Sequence, residues 1–136
     1  EVREAKNGDR IRKGLMLLAP GGLQMRVVPL GNSYAVSVQE GEKVNGHRPS
    51  VDVLFDSVAL HVREHAIGVL LTGMGADGTK GIVNLETAKK IHVIAQDEAT
   101  STVYGMPKSI AAAGLVNQVV GLDDVAQEII MNVGVK

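Results

Sequence analysis

The sequence contains no cysteine and no tryptophan, and only 2% of its 136 residues are aromatic. Without cysteine the chain can form no disulfide and no thiolate nucleophile, and we expect a cytoplasmic protein. Its 14 basic and 15 acidic residues leave a net charge of −1, so a nucleic-acid partner held by a basic patch is not expected. No apolar run approaches the roughly 20 residues that span a bilayer, so we expect no membrane insertion.

Hydrophobic residues make up 45% of the chain and charged residues 21%, a balance typical of one globular domain. In the first half, residues 14–19 predict a short buried strand, and residues 25–29 and 34–38 predict a β-hairpin around Gly31-Asn32. Residues 40–49 form a polar loop. Residues 51–62 carry an apolar stripe at helical spacing, with Ser50 at the N-cap position.

The second half repeats a strand, a loop and a helix three times. The strands are predicted at residues 66–71, 91–95 and 115–120, and the helices at 80–90, from Pro107 to Gly114, and from an Asp123 cap onward. The side chains expected to face inward from the last helix are Leu122, Val125, Ile129, Ile130 and Val133. Such βα units predict an α/β fold with a three-layer parallel sheet and helices on both faces, to which the first half adds its β-hairpin.

Ligands of open parallel sheets bind beyond the carboxyl ends of the strands, which here carry residues 72–78 and 96–99. Residues 73–78 match G-x-G-x-x-G, and Asp97 lies 19 residues further on, near the spacing of a ribose-binding acid. However, Asp77 would face the pyrophosphate, and two unit charges about 4 Å apart repel by roughly 4 kcal/mol at an effective dielectric of about 20. A simple turn is a second interpretation. In a third, Asp77 orients a catalytic histidine and backbone N–H groups stabilise an oxyanion.

The histidines and serines add no clear catalytic group. His47 lies in a distinctive loop, where a site-lining and a structural role stay equally open. His61 is expected to be solvated, and His65 is expected at the end of a helix. His92 is expected to be a hydrogen-bonded residue within a strand. Their spacing predicts no metal site, and we expect no cofactor. None of the six serines lies in G-x-S-x-G. The hydroxyl of Ser101 is expected to bond local backbone.

Four segments in this order resemble one family, the chemotaxis receptor methylesterase CheB. The first is the strand that runs into Ala-Pro-Gly-Gly at residues 19–22, and the second is His-Arg-Pro-Ser-Val-Asp-Val-Leu-Phe at 47–55. The third is Leu-Thr-Gly-Met-Gly-Ala-Asp-Gly at 71–78, and the fourth is Ala-Gln-Asp-Glu-Ala at 95–99 with Tyr-Gly-Met-Pro at 104–107. Each segment alone is a weak signal, but their combination is specific and covers the chain from about Val2 to the last helix.

The resemblance implies a protein-glutamate methylesterase, an enzyme that hydrolyses glutamate methyl esters on chemoreceptors and in many members also deamidates receptor glutamines. It implies a parallel α/β catalytic domain with a Ser-His-Asp triad and the methylated chemoreceptor as partner. By this match Asp77 is the triad acid, and the backbone N–H of Met74 contributes to the oxyanion hole. The other site-lining residues that the match implies are Thr72, Gly73, Gly75, Gly78, His47 and Arg48.

The sequence departs from the family pattern mainly at its start. The nucleophilic serine of a Gly-x-Ser-x-Gly turn, the catalytic histidine and the phosphorylatable receiver domain that regulates the family would all precede Glu1. We therefore expect residues 1–136 to be a partial catalytic domain without its first βα units, inactive alone, with an exposed sheet edge that favours dimerisation or domain swapping. Gln24 also stands where the family often has a histidine, and Lys89-Lys90 replaces a glycine-containing turn.

Two interpretations from other functional classes stay open at this point. The chain could be a non-catalytic module that docks a chemoreceptor or another partner through the same fold. Alternatively, it could be a nucleotide-binding domain built on the G-x-G-x-x-G segment, which a shift of the melting temperature by NAD, NADP or S-adenosylmethionine would reveal.

Overall fold

The computed structural model describes residues 1–134, and the chain divides into two compact units at residues 63 and 64. The first unit contains, in chain order, β1 (Val2–Glu4), β2 (Met16–Leu18), β3 (Gln24–Leu30), β4 (Ser33–Gln39) and α1 (Val51–His61). The second contains β5 (Ala66–Leu70), α2 (Thr79–Ala88), β6 (Ile91–Gln96), α3 (Gly105–Ala112), β7 (Gln118–Val120), a 3₁₀ turn (Leu122–Asp124) and α4 (Val125–Val133).

The first unit is organised around the predicted hairpin, in which β3 and β4 pair antiparallel with Val27 opposite Val36. Both outer edges of this hairpin are covered. On β4, the Val36 N–H donates to the carbonyl oxygen of Asp9 at 2.9 Å. On β3, the Val27 N–H donates to the hydroxyl of Ser57 on α1 at 2.8 Å. At least one backbone N–H on each outer edge of the hairpin is therefore already bonded to a neighbouring segment, which makes these edges less available to another strand.

The core of the first unit lies where the hairpin meets the strands before it. The buried members are Ala5, Met25, Val36 and Val38, and Leu17, Ala19, Leu23 and Leu54 pack against them. β1 and β2 pair in parallel, and their outward side chains Val2, Met16 and Leu18 are more than half exposed. The strand predicted to be buried over residues 14–19 is therefore shorter than predicted and exposed at Met16 and Leu18.

The second unit is a parallel sheet in the order β5-β6-β7. β5 and β6 pair from Ala66 opposite Ile91 to Leu70 opposite Ala95. The side chains that fill its core are Leu70, Ile82, Leu85, Val93, Ile94 and Ile110, all at most 2% exposed. Because these strands are buried, they read as continuous apolar runs, and the predicted α/β class with a parallel sheet is confirmed.

Three details of the second unit differ from the sequence-based expectation. β7 begins at Gln118 rather than residue 115 because the Asn117 side chain takes the place of a backbone acceptor, receiving the Val93 N–H at 2.7 Å. α3 begins two residues before Pro107. A 3₁₀ turn precedes α4, so helical spacing starts at Val125, which is buried; the predicted inward residues Leu122, Ile130 and Val133 are instead 51%, 48% and 60% exposed.

Within residues 1–134, no helix is both long and apolar enough to cross a membrane.

Candidate active site

The two loops singled out by the sequence start at the same edge of the second unit's sheet. The first, residues 72–78, joins β5 to α2, and we call it the glycine loop. The second, residues 97–104, joins β6 to α3, and we call it the Asp97 loop. Because β5 and β6 are parallel neighbours whose last pair is Leu70 opposite Ala95, both loops emerge from their carboxyl ends. The predicted placement of these loops at one edge is confirmed.

Hydrogen bonds fasten the start of the glycine loop to the end of the Asp97 loop. The Thr72 hydroxyl donates to the carbonyl oxygen of Val103 at 3.0 Å and accepts the Val103 N–H at 2.8 Å. The Gly73 N–H donates to the same carbonyl oxygen at 2.8 Å, and the Met106 N–H donates to the Gly73 oxygen at 2.9 Å. Thr72 therefore holds two loops together, a role that its position in a glycine-rich segment did not reveal.

Close backbone packing at Gly105 adds to this connection. A Cβ atom there would lie 2.9 Å from the nitrogen of Gly75 and 3.0 Å from the oxygen of Gly73. Neither is the end of a flexible side chain, so any larger residue at position 105 would displace the glycine loop. A Cβ atom on Gly73 would likewise meet the side chain of Met106. The sequence signal for this contact was the Tyr-Gly-Met-Pro segment, whose glycine had no local explanation.

Asp77 is the buried acid of the glycine loop, with only 4% of its surface exposed. It immediately precedes Gly78, the N-cap of α2, whose φ of 102° lies in the left-handed region that a side chain disfavours. The start of a helix stabilises a nearby carboxylate, and burial strengthens the interaction of that carboxylate with a cation. Met74, four residues after Leu70, has instead a side chain that is 75% exposed. The loop thus combines a buried acid at Asp77 with an exposed side chain at Met74.

The Asp97 carboxylate is used within its own loop. Its Oδ1 accepts the Thr100 hydroxyl at 2.6 Å and the Thr100 N–H at 2.9 Å. These two hydrogen bonds, the hydroxyl first, hold the pKa of Asp97 below its ordinary value. The Ser101 hydroxyl donates to the Asp97 carbonyl oxygen at 2.7 Å, which confirms its predicted bond to local backbone. These contacts show that Asp97 stabilises the turn of its own loop. They give no support to the interpretation of Asp97 as a ribose-binding acid.

His47 and Arg48 lie in the first unit, in the segment between β4 and α1. A tight turn through Asn45 and Gly46, both with positive φ, lets Val44 and His47 exchange two backbone hydrogen bonds at 2.9 Å. This Asn-Gly turn is a common hairpin signal, and it lies within the segment that was predicted to be a polar loop. Both predicted site-lining side chains are exposed, and the Arg48 guanidinium donates to the Gly41 carbonyl oxygen at 3.1 Å.

Gln24 is the residue that organises this segment, and the sequence analysis had noted it only as a departure from the family. It is 1% exposed. Its Nε2 donates to the carbonyl oxygens of Glu42 and His47 at 2.9 and 3.2 Å, and its Oε1 accepts the Ser50 N–H at 2.9 Å. Ser50 lies at the predicted N-cap of α1, but its side chain makes no capping bond. The sequence signal that could have indicated this role of Gln24 is a polar residue at a strand position that faces inward.

We expect Gln24→Leu to lower the free energy of unfolding by about 2–4 kcal/mol, because the buried N–H of Ser50 and the partly buried carbonyl oxygens of Glu42 and His47 would lose this partner. Gln39 pairs with Gln24 across the hairpin but is exposed, so Gln39→Leu should change the same quantity by less than about 0.5 kcal/mol. Urea unfolding of both variants measures the difference. Equal losses would show that the hydrogen bonds of Gln24 do not stabilise this segment.

The remaining histidines behave as structural residues. His92 on β6 places its Nε2 2.6 Å from Oε1 of Gln118 on β7, in agreement with the predicted hydrogen-bonded strand histidine. His61 is half-buried on α1 rather than fully solvated, while His65 is exposed. Among residues 1–134, no group of three or more His, Cys, Asp or Glu side chains could hold a metal ion.

Comparison with known proteins places these features in one family. The family model described as CheB methylesterase matches residues 1–129. A protein-glutamate methylesterase/protein-glutamine glutaminase of Sulfurimonas denitrificans is 53% identical over 125 residues, which are 92% of this chain and 35% of that protein. One of Rhodospirillum rubrum is 46% identical over 130 residues, 96% of this chain and 36% of that protein. The chain thus spans about a third of the length of these curated relatives.

A solved structure agrees with the sequence matches. The crystal structure of the Thermotoga maritima CheB methylesterase catalytic domain is similar with a TM-score of 0.90 at 32% identity, over 96% of this chain and 68% of that one. A family match over residues 1–129 and a structural match over nearly the whole chain lead to one conclusion: this chain belongs to the CheB methylesterase family.

Proposed function

We propose that residues 1–136 are the acid-bearing part of a methylesterase catalytic domain that hydrolyses glutamate methyl esters on chemotaxis receptors. The observation that carries this proposal is Asp77, a buried carboxylate in a glycine loop at the carboxyl edge of a parallel sheet. That edge is where open α/β sheets hold their ligands. Family membership supplies the reaction, since the curated relatives are named protein-glutamate methylesterases.

In this proposal Asp77 accepts a hydrogen bond from a catalytic histidine, holds its tautomer and stabilises its cation. A serine activated by that histidine attacks the ester carbonyl, methanol leaves, and water hydrolyses the acyl-enzyme to free glutamate. Both groups come from segments that residues 1–136 do not contain. The backbone N–H of Met74 donates to the developing oxyanion. The residues proposed to line the site are Thr72, Gly73, Gly75, Gly78, His47 and Arg48.

The partner in this proposal is the methylated chemoreceptor, and the reaction takes place in the cytoplasm. Neither a cofactor nor a metal ion takes part, because acyl transfer by a Ser-His-Asp triad needs only protein groups. The names of the relatives also include protein-glutamine glutaminase. Attack on a glutamine side-chain amide follows the same route, with ammonia in place of methanol as the leaving group, so the same site would catalyse both reactions.

The test of this function uses an extended protein, in which two further βα units of the family precede Glu1. We expect the extended protein to release methanol from methylated receptor and none from the unmethylated receptor, and to release ammonia where the receptor carries target glutamines. Gas chromatography measures the methanol. A folded extended protein that releases no methanol would contradict the proposed function, while methanol without ammonia would remove the glutaminase activity alone.

A further inference from the structure

Gln96, the last residue of β6, is a buried polar side chain with 1% of its surface exposed. Its backbone still belongs to the sheet, since Gln96 pairs with Val120 of β7. Its side chain does not serve the sheet. The Oε1 atom accepts the backbone N–H of Thr72 at 2.8 Å, and Nε2 donates to the carbonyl oxygen and hydroxyl oxygen of Thr100 at 2.9 and 3.2 Å. One amide therefore connects the glycine loop with the Asp97 loop.

The position of Gln96 explains why a side chain makes this connection. The ladder between β5 and β6 ends at the pair Leu70 and Ala95, so Thr72 has no strand partner for its N–H. The Gln96 amide extends the ladder past that point. Thr72 is then held through its N–H by Gln96 and through its hydroxyl by Val103. Both backbone and side chain of Thr72, five residues before Asp77, are therefore fixed.

The Nε2 end of the Gln96 amide is bonded to Thr100, a residue that other hydrogen bonds hold in place. Thr100 is itself bonded to Asp97, and its hydroxyl also accepts the Leu122 N–H at 3.1 Å. The chain Thr72, Gln96, Thr100 and Asp97 thus runs across the carboxyl edge of the sheet. A hydrogen-bonded amide here fixes both the orientation and the separation of the two loops. Leaving its buried polar groups unpaired would lower the free energy of unfolding.

We propose that Gln96 is a positioning residue for the methylesterase reaction: its side-chain amide fixes the backbone at the start of the glycine loop and thereby the placement of Asp77 and Met74. The inference rests on the proposed function, because Gln96 acts only through these two groups. It touches no reacting atom. Its contribution comes from geometry, since displacement of a catalytic group by about 1 Å can cost on the order of 100-fold in rate.

The first test uses the 136-residue chain itself. Gln96→Leu keeps the side-chain volume approximately and removes all three hydrogen bonds of the amide, so the Thr72 amide should exchange with deuterium at least about 10-fold faster, as lost protection implies. The matched control is Gln118→Leu, since Gln118 also ends in hydrogen bonds, to His92 and Glu128, but on β7. It should leave the Thr72 amide unchanged. Unchanged exchange in Gln96→Leu would overturn the proposal.

The second test separates positioning from general stability. In the extended protein, Gln96→Leu should lower kcat roughly 10- to 100-fold at nearly constant KM. Gln96→Glu keeps an acceptor for the Thr72 N–H but loses the donor to the Thr100 carbonyl oxygen, so it should recover part of the loss. In an Asp77→Asn background Gln96→Leu should lower kcat by a clearly smaller factor, because only its contribution through Met74 then remains. Gln118→Leu should leave kcat unchanged in both backgrounds.

Each outcome of the second test has a distinct meaning. An equal loss in both backgrounds would make Gln96 a merely structural residue, and an unchanged kcat would also overturn its role. If Gln96→Leu does not fold, Gln96→Glu and Gln96→Asn replace it, and Asn, which is too short to span both loops, should show the loss. If Asp77→Asn itself leaves kcat unchanged, Asp77 is not the triad acid and this inference fails with that role, whereas the proposed ester hydrolysis fails only if the unmodified extended protein releases no methanol. A large effect of Asp77→Asn beside a neutral Gln96→Leu would sink the inference alone.

Discussion

The 136-residue chain alone is expected to release methanol from methylated receptor about a millionfold more slowly than the extended protein, the typical cost of removing a triad serine or histidine. Its own serines do not replace the nucleophile. None lies in G-x-S-x-G, and Ser101, the one in a candidate site loop, donates its hydroxyl hydrogen bond to the carbonyl oxygen of Asp97. Paired assays at equal protein concentration measure the ratio.

A matched control separates the loss of the nucleophile from the change in chain length. The extended protein with its upstream nucleophile changed from serine to alanine has the same length and fold as the active protein, and it should fall to the level of the short chain. Turnover by the short chain above that level would mean that a nucleophile lies among residues 1–136. Ser101→Ala and His47→Ala would then be the first variants to make, and the assignment of the serine and histidine to upstream segments would be wrong.

Asp77→Asn in the extended protein is expected to lower kcat on the order of 10⁴-fold while the protein stays folded. The amide keeps the shape of the carboxyl group but cannot stabilise an imidazolium, and it favours the wrong histidine tautomer. Since Asp77 is buried, water cannot substitute for the missing charge. Steady-state kinetics on methylated receptor give kcat and KM separately, and we expect the change to appear in kcat.

The control for this prediction is Asp123→Asn, which also removes one negative charge. Asp123 is exposed in the 3₁₀ turn before α4, so its variant should retain kcat within about twofold, as surface substitutions usually do. Thermal unfolding of both variants checks the fold. A similar kcat in Asp77→Asn and Asp123→Asn would show that Asp77 is not the triad acid.

The sequence allowed the order of the elements from β2 onward, the α/β class and the family to be predicted because each depends on local signals, whereas β1 was missed. Apolar runs of strand length, a glycine-rich loop after β5 and the segments around residues 47–55 and 95–107 are readable without a structure. The errors fell where spacing alone is ambiguous. The 3₁₀ turn at Leu122 shifted the inward face of α4, and at the start of β7 the Asn117 side chain, rather than a backbone carbonyl, accepts the Val93 N–H.

By itself, then, the sequence determined that this chain is a member of the CheB methylesterase family and that Asp77 stands in its glycine loop. Only the tertiary structure decided that Asp77 is buried and that Gln24, Gln96 and Thr72 hold the loops in place. The physical reason is sequence separation. The hydrogen bonds between Ser50 and Gln24 and between Thr72 and Gln96 join residues 26 and 24 positions apart, and the spacing of neighbouring residues does not reveal which partner each amide binds.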